Sequence, residues 1–125
     1  MANILLVEDD TDLSETLQDW LVFQKHNVEA VYTGTEALEQ MRFATFDIVV
    51  LDWQLPGMNG IDVLKTYRSE GGKMPVLMLT GRTESKEIKS LMDAGATDYM
   101  AKPFNLKDLS ARVEQIVSKA STASA

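Results

Sequence analysis

Cysteine is absent from this chain of 125 residues, and histidine occurs once. The missing cysteines exclude a disulfide framework, a thiol nucleophile and a thiolate metal site. A single histidine also argues against a zinc centre. No apolar run approaches the roughly 18 residues needed to span a bilayer, and the first residues lack the basic start and long apolar stretch of a signal peptide. We therefore expect a cytoplasmic protein with no membrane association.

Positive charge is also scarce, because 19 acidic residues stand against 12 basic ones and give a net charge of −7. Such a balance disfavours direct binding to nucleic acid or anionic membranes and favours a cation or a basic partner surface. Hydrophobic residues make up 45% of the chain. That share, at this length, predicts one compact domain with a full core.

Strand-like and helix-like segments alternate five times along the chain, which is typical of a parallel α/β sheet with helices on both faces. Right-handed crossovers then favour a doubly wound, five-stranded sheet of order 2-1-3-4-5, flanked by five helices. The predicted strands are Asn3 to Val7, Val28 to Val31, Asp47 to Leu51, Val76 to Leu79 and Asp98 to Ala101. The predicted helices cover Thr11 to Gln24, Thr35 to Phe43, a segment between Gly60 and Gly71, Ser85 to Ala94, and Asn105 to about Lys119.

Capping and turn signals define the ends of these segments. Asp12 and Glu15 have the spacing of a capping box for the first helix, and Thr33 and Glu36 have it for the second. His26 falls in a turn, where we expect it at the surface. Residues 1–119 are predicted to form the domain. Residues 120–125 have too little apolar surface to dock and are predicted to be a flexible tail or the stub of a linker.

Four of the predicted strands are followed by polar residues that carry chemistry. Because the carboxyl ends of parallel strands lie along one edge of a sheet, these residues should meet at the point where strand order reverses. The first strand is followed by the acidic run Glu8-Asp9-Asp10. The other three are followed by Asp52, Thr80 and Lys102.

Each of these residues also has a simpler interpretation. The acidic run could be a solvated turn at a helix N-terminus, where negative charge is favourable. Asp52 could be a turn former, Thr80 a residue that merely favours strands, and Lys102 a surface lysine. Taken together they predict a site, because carboxylates on adjacent strands repel each other and a divalent cation removes that penalty. Oxygen-only ligation suits Mg²⁺, or Mn²⁺ in its place.

Such a site could accept a phosphoryl group. A carboxylate would attack the phosphorus, while the cation and Lys102 would neutralise the equatorial oxygens. The product would be an acyl phosphate on Asp52.

At this point the motifs resemble those of the response-regulator receiver domain of two-component signalling, of the CheY-like type. The likeness runs from Asn3 to about Lys119 and rests on the combination of motifs. They are Leu6-Val7-Glu8-Asp9, Asp52 with the following Trp53-Gln54-Leu55-Pro56-Gly57-Met58-Asn59-Gly60, Thr80-Gly81, and Tyr99-Met100-Ala101-Lys102-Pro103-Phe104.

The resemblance implies a role for each site residue. Asp52 would be the phosphoacceptor. The metal would be held by Glu8 (through water), Asp9, Asp52 and the backbone carbonyl of Gln54. Thr80 and Lys102 would bind the phosphoryl group, and Tyr99 would change rotamer as Thr80 moves. Gln54 and Arg82 stand at the positions that tune the phosphate lifetime, whereas Asp10 matches no role in the pattern.

The resemblance further implies a switch rather than a conventional enzyme. The phosphoryl donor would be the phosphohistidine of a histidine kinase or of a phosphotransfer protein. The signal would reach the face made of the fourth helix, fifth strand and fifth helix, which could serve a phosphorylation-dependent homodimer or a downstream effector domain. Asp108 and Arg112 resemble the residues found at these positions in receivers that are joined to winged-helix DNA-binding domains. Thr97, however, stands where those regulators commonly have an acidic residue.

Three alternatives have different signatures. A flavodoxin-type cofactor carrier needs a first loop that holds phosphate, and an acidic loop would repel it. Phosphohydrolases with an aspartyl nucleophile usually carry an acid two positions later, where this chain has Gln54. A receiver-like scaffold that no longer cycles phosphate would keep the fold without the chemistry.

Overall fold

The structure is a computed structural model that describes the backbone of residues 1–124 and the side chains of residues 1–121. Five strands alternate with five helices along the chain. The strands are β1 (Asn3–Val7), β2 (Asn27–Val31), β3 (Ile48–Asp52), β4 (Val76–Thr80) and β5 (Asp98–Ala101). The helices are α1 (Thr11–Phe23), α2 (Gly34–Phe43), α3 (Gly60–Ser69), α4 (Ser85–Asp93) and α5 (Leu106–Ser124).

All strand pairs are parallel, and the sheet has the order β2-β1-β3-β4-β5. The predicted fold class and strand order are therefore confirmed. Strand order reverses between β1 and β3, where Val7 pairs with Leu51. The residues that follow these two strands consequently lie side by side at the carboxyl edge of the sheet.

The sheet is buried on both faces, which explains why its central strands are continuous apolar runs instead of alternating patterns. Successive side chains of β1 point to opposite faces. Leu5 and Val7 belong to the core shared with α2, α3 and α4. Ile4 and Leu6 belong to the core shared with α1 and α5. Every residue of β3 and β4 is buried, so these strands hold their terminal residues in fixed positions.

The helix caps agree with the sequence prediction at α2 and differ from it at α1. Thr33 caps α2 and accepts a hydrogen bond from the backbone N–H of Glu36, as predicted. The cap of α1 is Asp10, whose carboxylate accepts from the N–H of Leu13. The predicted capping box starting at Asp12 is wrong, because Asp12 already lies in the first turn of the helix and Asp10 holds the extended cap conformation.

His26 is buried, contrary to the surface position predicted for it. Only 7% of its surface is exposed, and its Nδ1 accepts a hydrogen bond from the backbone N–H of Ala2 at 3.1 Å. Glu114 of α5 lies 3.8 Å from its Nε2. A turn at the amino edge of the sheet is therefore covered by the chain's first residues and by α5.

The last helix is longer than the sequence pattern suggested. α5 continues to Ser124, past Lys119 where we expected it to stop. The division into a domain of residues 1–119 and a linker stub remains a prediction. Across the described residues, we find no helix that is both long enough and apolar enough to cross a bilayer.

Candidate functional site

Four strand ends bring the predicted site residues together. Glu8 and Asp9 follow β1, Asp52 ends β3, and Lys102 follows β5. One ligand atom from each of Glu8, Asp9 and Asp52 can be chosen so that all three lie within 4.8 Å of one another. Thr80 ends β4 and is 1% exposed. The convergence predicted from the sequence is therefore present in the fold.

Lys102 neutralises the two most buried carboxylates of the group. Its Nζ lies 2.9 Å from Glu8 Oε1 and 3.2 Å from Asp52 Oδ2. Glu8 is 1% exposed and Asp52 is 6% exposed. Burial by itself would lower the pKa of Lys102, but the hydrogen bond to Glu8 and the charge of Asp52 outweigh burial and raise that pKa. The lysine is therefore a permanent cation in the site.

Asp9 is exposed at the outer side of the group. Partial burial raises the pKa of its carboxyl, and the neighbouring Glu8 raises it further through a hydrogen bond and its charge. The adjacent Asp10 is not part of the carboxylate group, since it serves as the cap of α1.

The group fits a hard divalent cation. Its donors are carboxylate oxygens, which Mg²⁺ and Mn²⁺ prefer over the nitrogen and sulfur ligands of zinc. Crowded carboxylates with a single lysine between them carry excess negative charge that a cation would offset. Asp9 faces solvent, so a metal bound there could also keep water ligands, as Mg²⁺ usually does.

A cavity of about 370 Å³ lies elsewhere on the fold, and a polar cavity of about 320 Å³ lies at the strand ends among the predicted site residues. We call the latter the site cavity. Thr80 contributes a hydroxyl that accepts a hydrogen bond from the N–H of Arg82 at 2.8 Å and donates to its carbonyl at 3.3 Å. The site cavity is lined by Asp52, Trp53, Gln54, Thr80, Gly81, Arg82 and Lys102.

Tyr99 is not among the described residues that line the site cavity. It pairs in register with Met78 of β4 and packs against the core cluster that contains Met78. Thr80 follows Met78 by two residues, so its side chain points to the same face of the sheet. This places Tyr99 one step behind Thr80 on the side of α4.

Two features of the site were missed by the sequence analysis. The guanidinium of Arg82 stacks over the ring of Trp53 at 5.2 Å. Gly60, the first residue of α3, lies against the main chain of Asp52 so closely that a Cβ would collide with its carbonyl oxygen. The signal for the second was the Asn59-Gly60 pair itself, whereas no local pattern indicated that Arg82 and Trp53 would meet.

Comparison with known proteins gives a consistent result. Residues 4–114 match the family model described as the response regulator receiver domain. The DNA-binding response regulator MtrA of Mycobacterium tuberculosis is 42% identical over 110 residues, which are 88% of this chain and 48% of that protein. The response regulator RppA of Synechocystis is 37% identical over 115 residues, which are 90% of this chain and 49% of that protein. The chain thus spans about half the length of these curated relatives.

Solved structures show the same likeness. The non-phosphorylated HemR receiver domain of Leptospira biflexa is 38% identical, with a TM-score of 0.86 over 94% of this chain and 95% of that one. The receiver domain of a sensor histidine kinase from Pseudomonas aeruginosa, solved with magnesium in its active-site cleft, shares the fold with a TM-score of 0.85 over 94% of this chain and 98% of that one. Its identity is 24%, so it is evidence for the fold alone.

The order of the sheet, the acidic cluster beside Lys102 and the match over most of the chain agree with one another. The chain belongs to the response regulator receiver domain family, the phosphorylation-activated module of two-component signalling.

Proposed function

We propose that this receiver domain accepts a phosphoryl group on Asp52 from the phosphohistidine of a histidine kinase or phosphotransfer protein. The observation that carries the proposal is the placement of the Asp52 carboxylate. It is nearly buried at the end of β3, opens into the site cavity, and lies 3.2 Å from a lysine ammonium. A carboxylate so placed is held for attack while an adjacent cation can accept the incoming negative charge.

The transfer moves one phosphoryl group between two nucleophiles. An Oδ atom of Asp52 forms the new O–P bond, and the P–N bond of the phosphohistidine breaks with its electron pair returning to the ring nitrogen. Lys102 Nζ stays within reach of the phosphoryl oxygens, and the Thr80 hydroxyl donates to one of them once it leaves Arg82. The chain is a switch that promotes its own modification, and not a conventional enzyme.

Glu8, Asp9, Asp52 and the backbone carbonyl of Gln54 would hold Mg²⁺, or Mn²⁺ in its place. A bound divalent cation supplies charge neutralisation at the equatorial phosphoryl oxygens. Asp9 offers a direct ligand, whereas Glu8, whose Oε1 is engaged with Lys102, reaches the metal through water.

The modified site would act on the rest of the fold through Thr80 and Tyr99. An acyl phosphate adds negative charge and hydrogen-bond acceptors at a buried position. Movement of Thr80 towards it vacates space on the face that Tyr99 shares, and Tyr99 then turns inward. Moving a two-state population from mostly inactive to mostly active needs about 3–5 kcal/mol, which a few charge-assisted hydrogen bonds supply.

The output surface would be the face formed by α4, β5 and α5, used for a phosphorylation-dependent homodimer or a downstream effector domain. On this face Arg112 of α5 is paired with Asp98 of β5 at 2.7 Å. Thr97 has a structural task, since its hydroxyl accepts from the N–H of Val76. Sedimentation with and without beryllofluoride, a phosphoryl mimic, distinguishes a homodimer from a domain that needs another partner.

Incubation with a small-molecule phosphodonor and Mg²⁺, followed by mass spectrometry, tests the proposal. We expect the mass of one phosphoryl group on Asp52, with loss of the adduct in Asp52→Asn. Asp10→Asn is the matched control, because asparagine also caps helices and the charge change is the same. A wild-type chain that never gains the phosphoryl group would show a receiver scaffold that no longer cycles phosphate. Gln54 and Arg82 would set how long the adduct persists.

A further inference from the structure

Arg82 and Trp53 form a contact at the site cavity that the proposed function leaves unused. The guanidinium carbon lies 5.2 Å from the centroid of the ring, within cation–π range. Trp53 is 9% exposed, whereas Arg82 is exposed. Among the side chains of residues 1–121, no salt bridge includes Arg82. Its charge is therefore matched by an aromatic face alone.

The main chain of Arg82 is tied to Thr80. The Thr80 hydroxyl accepts from the N–H of Arg82 and donates to its carbonyl, so both its donor and one acceptor position are engaged locally. If this hydroxyl donates to a phosphoryl oxygen, it must give up the bond to the Arg82 carbonyl. One of the two hydrogen bonds that hold the main chain of Arg82 to Thr80 is thereby lost when negative charge enters the site cavity.

The cations that line the site cavity differ in how they are used. Lys102 is already shared between Glu8 and Asp52. Arg82 lines the same cavity, and no carboxylate within residues 1–121 forms a salt bridge with it. A bidentate, charge-assisted bond from a guanidinium to phosphate oxygens is stronger than the cation–π contact of a solvent-exposed guanidinium with an aromatic ring. An incoming phosphoryl group would therefore compete successfully with Trp53 for Arg82.

We propose that Arg82 is a two-position residue that stacks on Trp53 in the unmodified domain and turns to the phosphoryl group of the acyl phosphate, uncovering Trp53 as it does so. It acts as a positioning residue, holding one side of the phosphoryl group while Lys102 holds the other. The inference rests on the proposed function at Asp52, and it adds a second cation whose movement is coupled to Thr80.

The exchange can be followed by the fluorescence of Trp53. Trp20→Phe removes the other tryptophan of the chain, and its indole N–H has no hydrogen-bond partner among the described residues. In this background we expect acrylamide to quench Trp53 more efficiently once beryllofluoride and Mg²⁺ are bound. In Arg82→Met, quenching should already be high and should change little on binding.

Affinity gives the second measurement. Beryllofluoride binding followed by ¹⁹F NMR should weaken about tenfold in Arg82→Met, the loss expected for one charge-assisted hydrogen bond. Arg82→Lys keeps the charge and should recover part of this affinity without restoring the stack.

The outcomes separate this inference from the proposed function. Unchanged affinity in Arg82→Met, or unchanged quenching of wild-type Trp53 on binding, overturns the two-position role while phosphorylation of Asp52 stands. Absence of beryllofluoride binding by the wild-type chain, together with absence of the phosphoryl adduct, overturns both.

Discussion

Glu8 is a carboxylate that the fold buries almost completely and pairs with a single ammonium. It is 1% exposed, and Lys102 lies 2.9 Å away across 94 positions of sequence. A buried charge that loses its partner is strongly destabilising, because its desolvation is no longer offset. Lys102 therefore stabilises the unmodified fold, in addition to the role proposed for it beside Asp52.

Lys102→Met should lower the free energy of unfolding by about 2 kcal/mol in the absence of metal, less than for a fully buried pair because the lysine is partly exposed. Urea denaturation measures this. The double variant Glu8→Gln with Lys102→Met removes both charges of this pair and should recover the part of the loss that comes from Glu8, while Asp52 stays without its cation. Additive effects of the two substitutions would contradict the pairing.

His26 is the other buried ionisable residue with a clear consequence. Burial lowers the pKa of its imidazole, and the positive charge of the chain's N-terminus lowers it further, while Glu114 acts in the opposite direction. The unfolded chain therefore binds the proton more tightly than the folded one. Stability linked to His26 is complete above the ordinary pKa of 6.5 and is lost as the pH falls through that value towards the folded pKa.

Replacing His26 with glutamine should remove this pH dependence. Glutamine can still accept the hydrogen bond from Ala2 and does not titrate. We expect the stability of the wild type relative to His26→Gln to decline between pH 7 and pH 5 in urea denaturation, since the wild type must bury a charged imidazole or unfold. Parallel pH profiles for the two proteins would show that His26 has the same pKa in the folded and the unfolded chain, which contradicts the prediction.

At the scale of elements, the start of α3 fixes the end of β3. The N–H of Gly60 donates to the carbonyl of Trp53 at 2.7 Å, and Asn59 caps the helix by accepting from the N–H of Asp62. This close approach leaves no room for a side chain at Gly60. The helix therefore holds the main chain that carries Asp52.

Gly60→Ala should destabilise the domain by about 2–3 kcal/mol, because the methyl group forces the backbones of α3 and β3 apart. It should also slow phosphorylation of Asp52. Gly81→Ala is the control for stability, since a Cβ there meets nothing and the φ of Gly81 is not positive. Thermal unfolding tests both variants, and equal losses of stability would rule out the steric explanation. Because Gly81 lines the site cavity, the rate of adduct formation in Gly60→Ala is compared with that of the wild type.

The helices and strands themselves were predicted well where their signal is local. Periodic apolar residues gave the existence and order of all ten elements, and Thr33 was recognised as a cap from its spacing to Glu36. At α1, the spacing of Asp12 to Glu15 predicted the wrong cap, and only the backbone conformation identifies Asp10. The far end of α5 carries no apolar repeat, which is why Ser124 was not expected in a helix.

At the scale of the whole molecule, acidic charge is in excess, and part of that excess is concentrated at the carboxyl edge of the sheet. A ligand that binds only the folded state stabilises it by an amount that grows with the logarithm of its concentration once that concentration exceeds the dissociation constant. Folding and metal binding should therefore be linked in this domain.

Mg²⁺ at ten times its dissociation constant should raise the free energy of unfolding by about 1.4 kcal/mol. Denaturation at constant ionic strength, with Ca²⁺-free buffers and added NaCl as the control, measures the gain. Asp9→Asn should abolish it and Asp10→Asn should keep it. An equal gain in all three proteins would indicate charge screening and not a specific site.

The sequence by itself determined the topology and the residues of the candidate site, because alternating apolar patterns dictate a parallel sheet whose strand ends must meet at one edge. It placed Asp9, Asp52, Thr80 and Lys102 together without any contact being known. Only the tertiary structure decided which side chains contact each other there, including the ion pair of Lys102 with Glu8 and the stacking of Arg82 on Trp53.

The burial of His26 belongs to the same class of facts. The physical reason is one of range. Periodicity and capping depend on residues a few positions apart. These contacts instead join distant segments that sheet register and loop path bring together, so no local pattern predicts them.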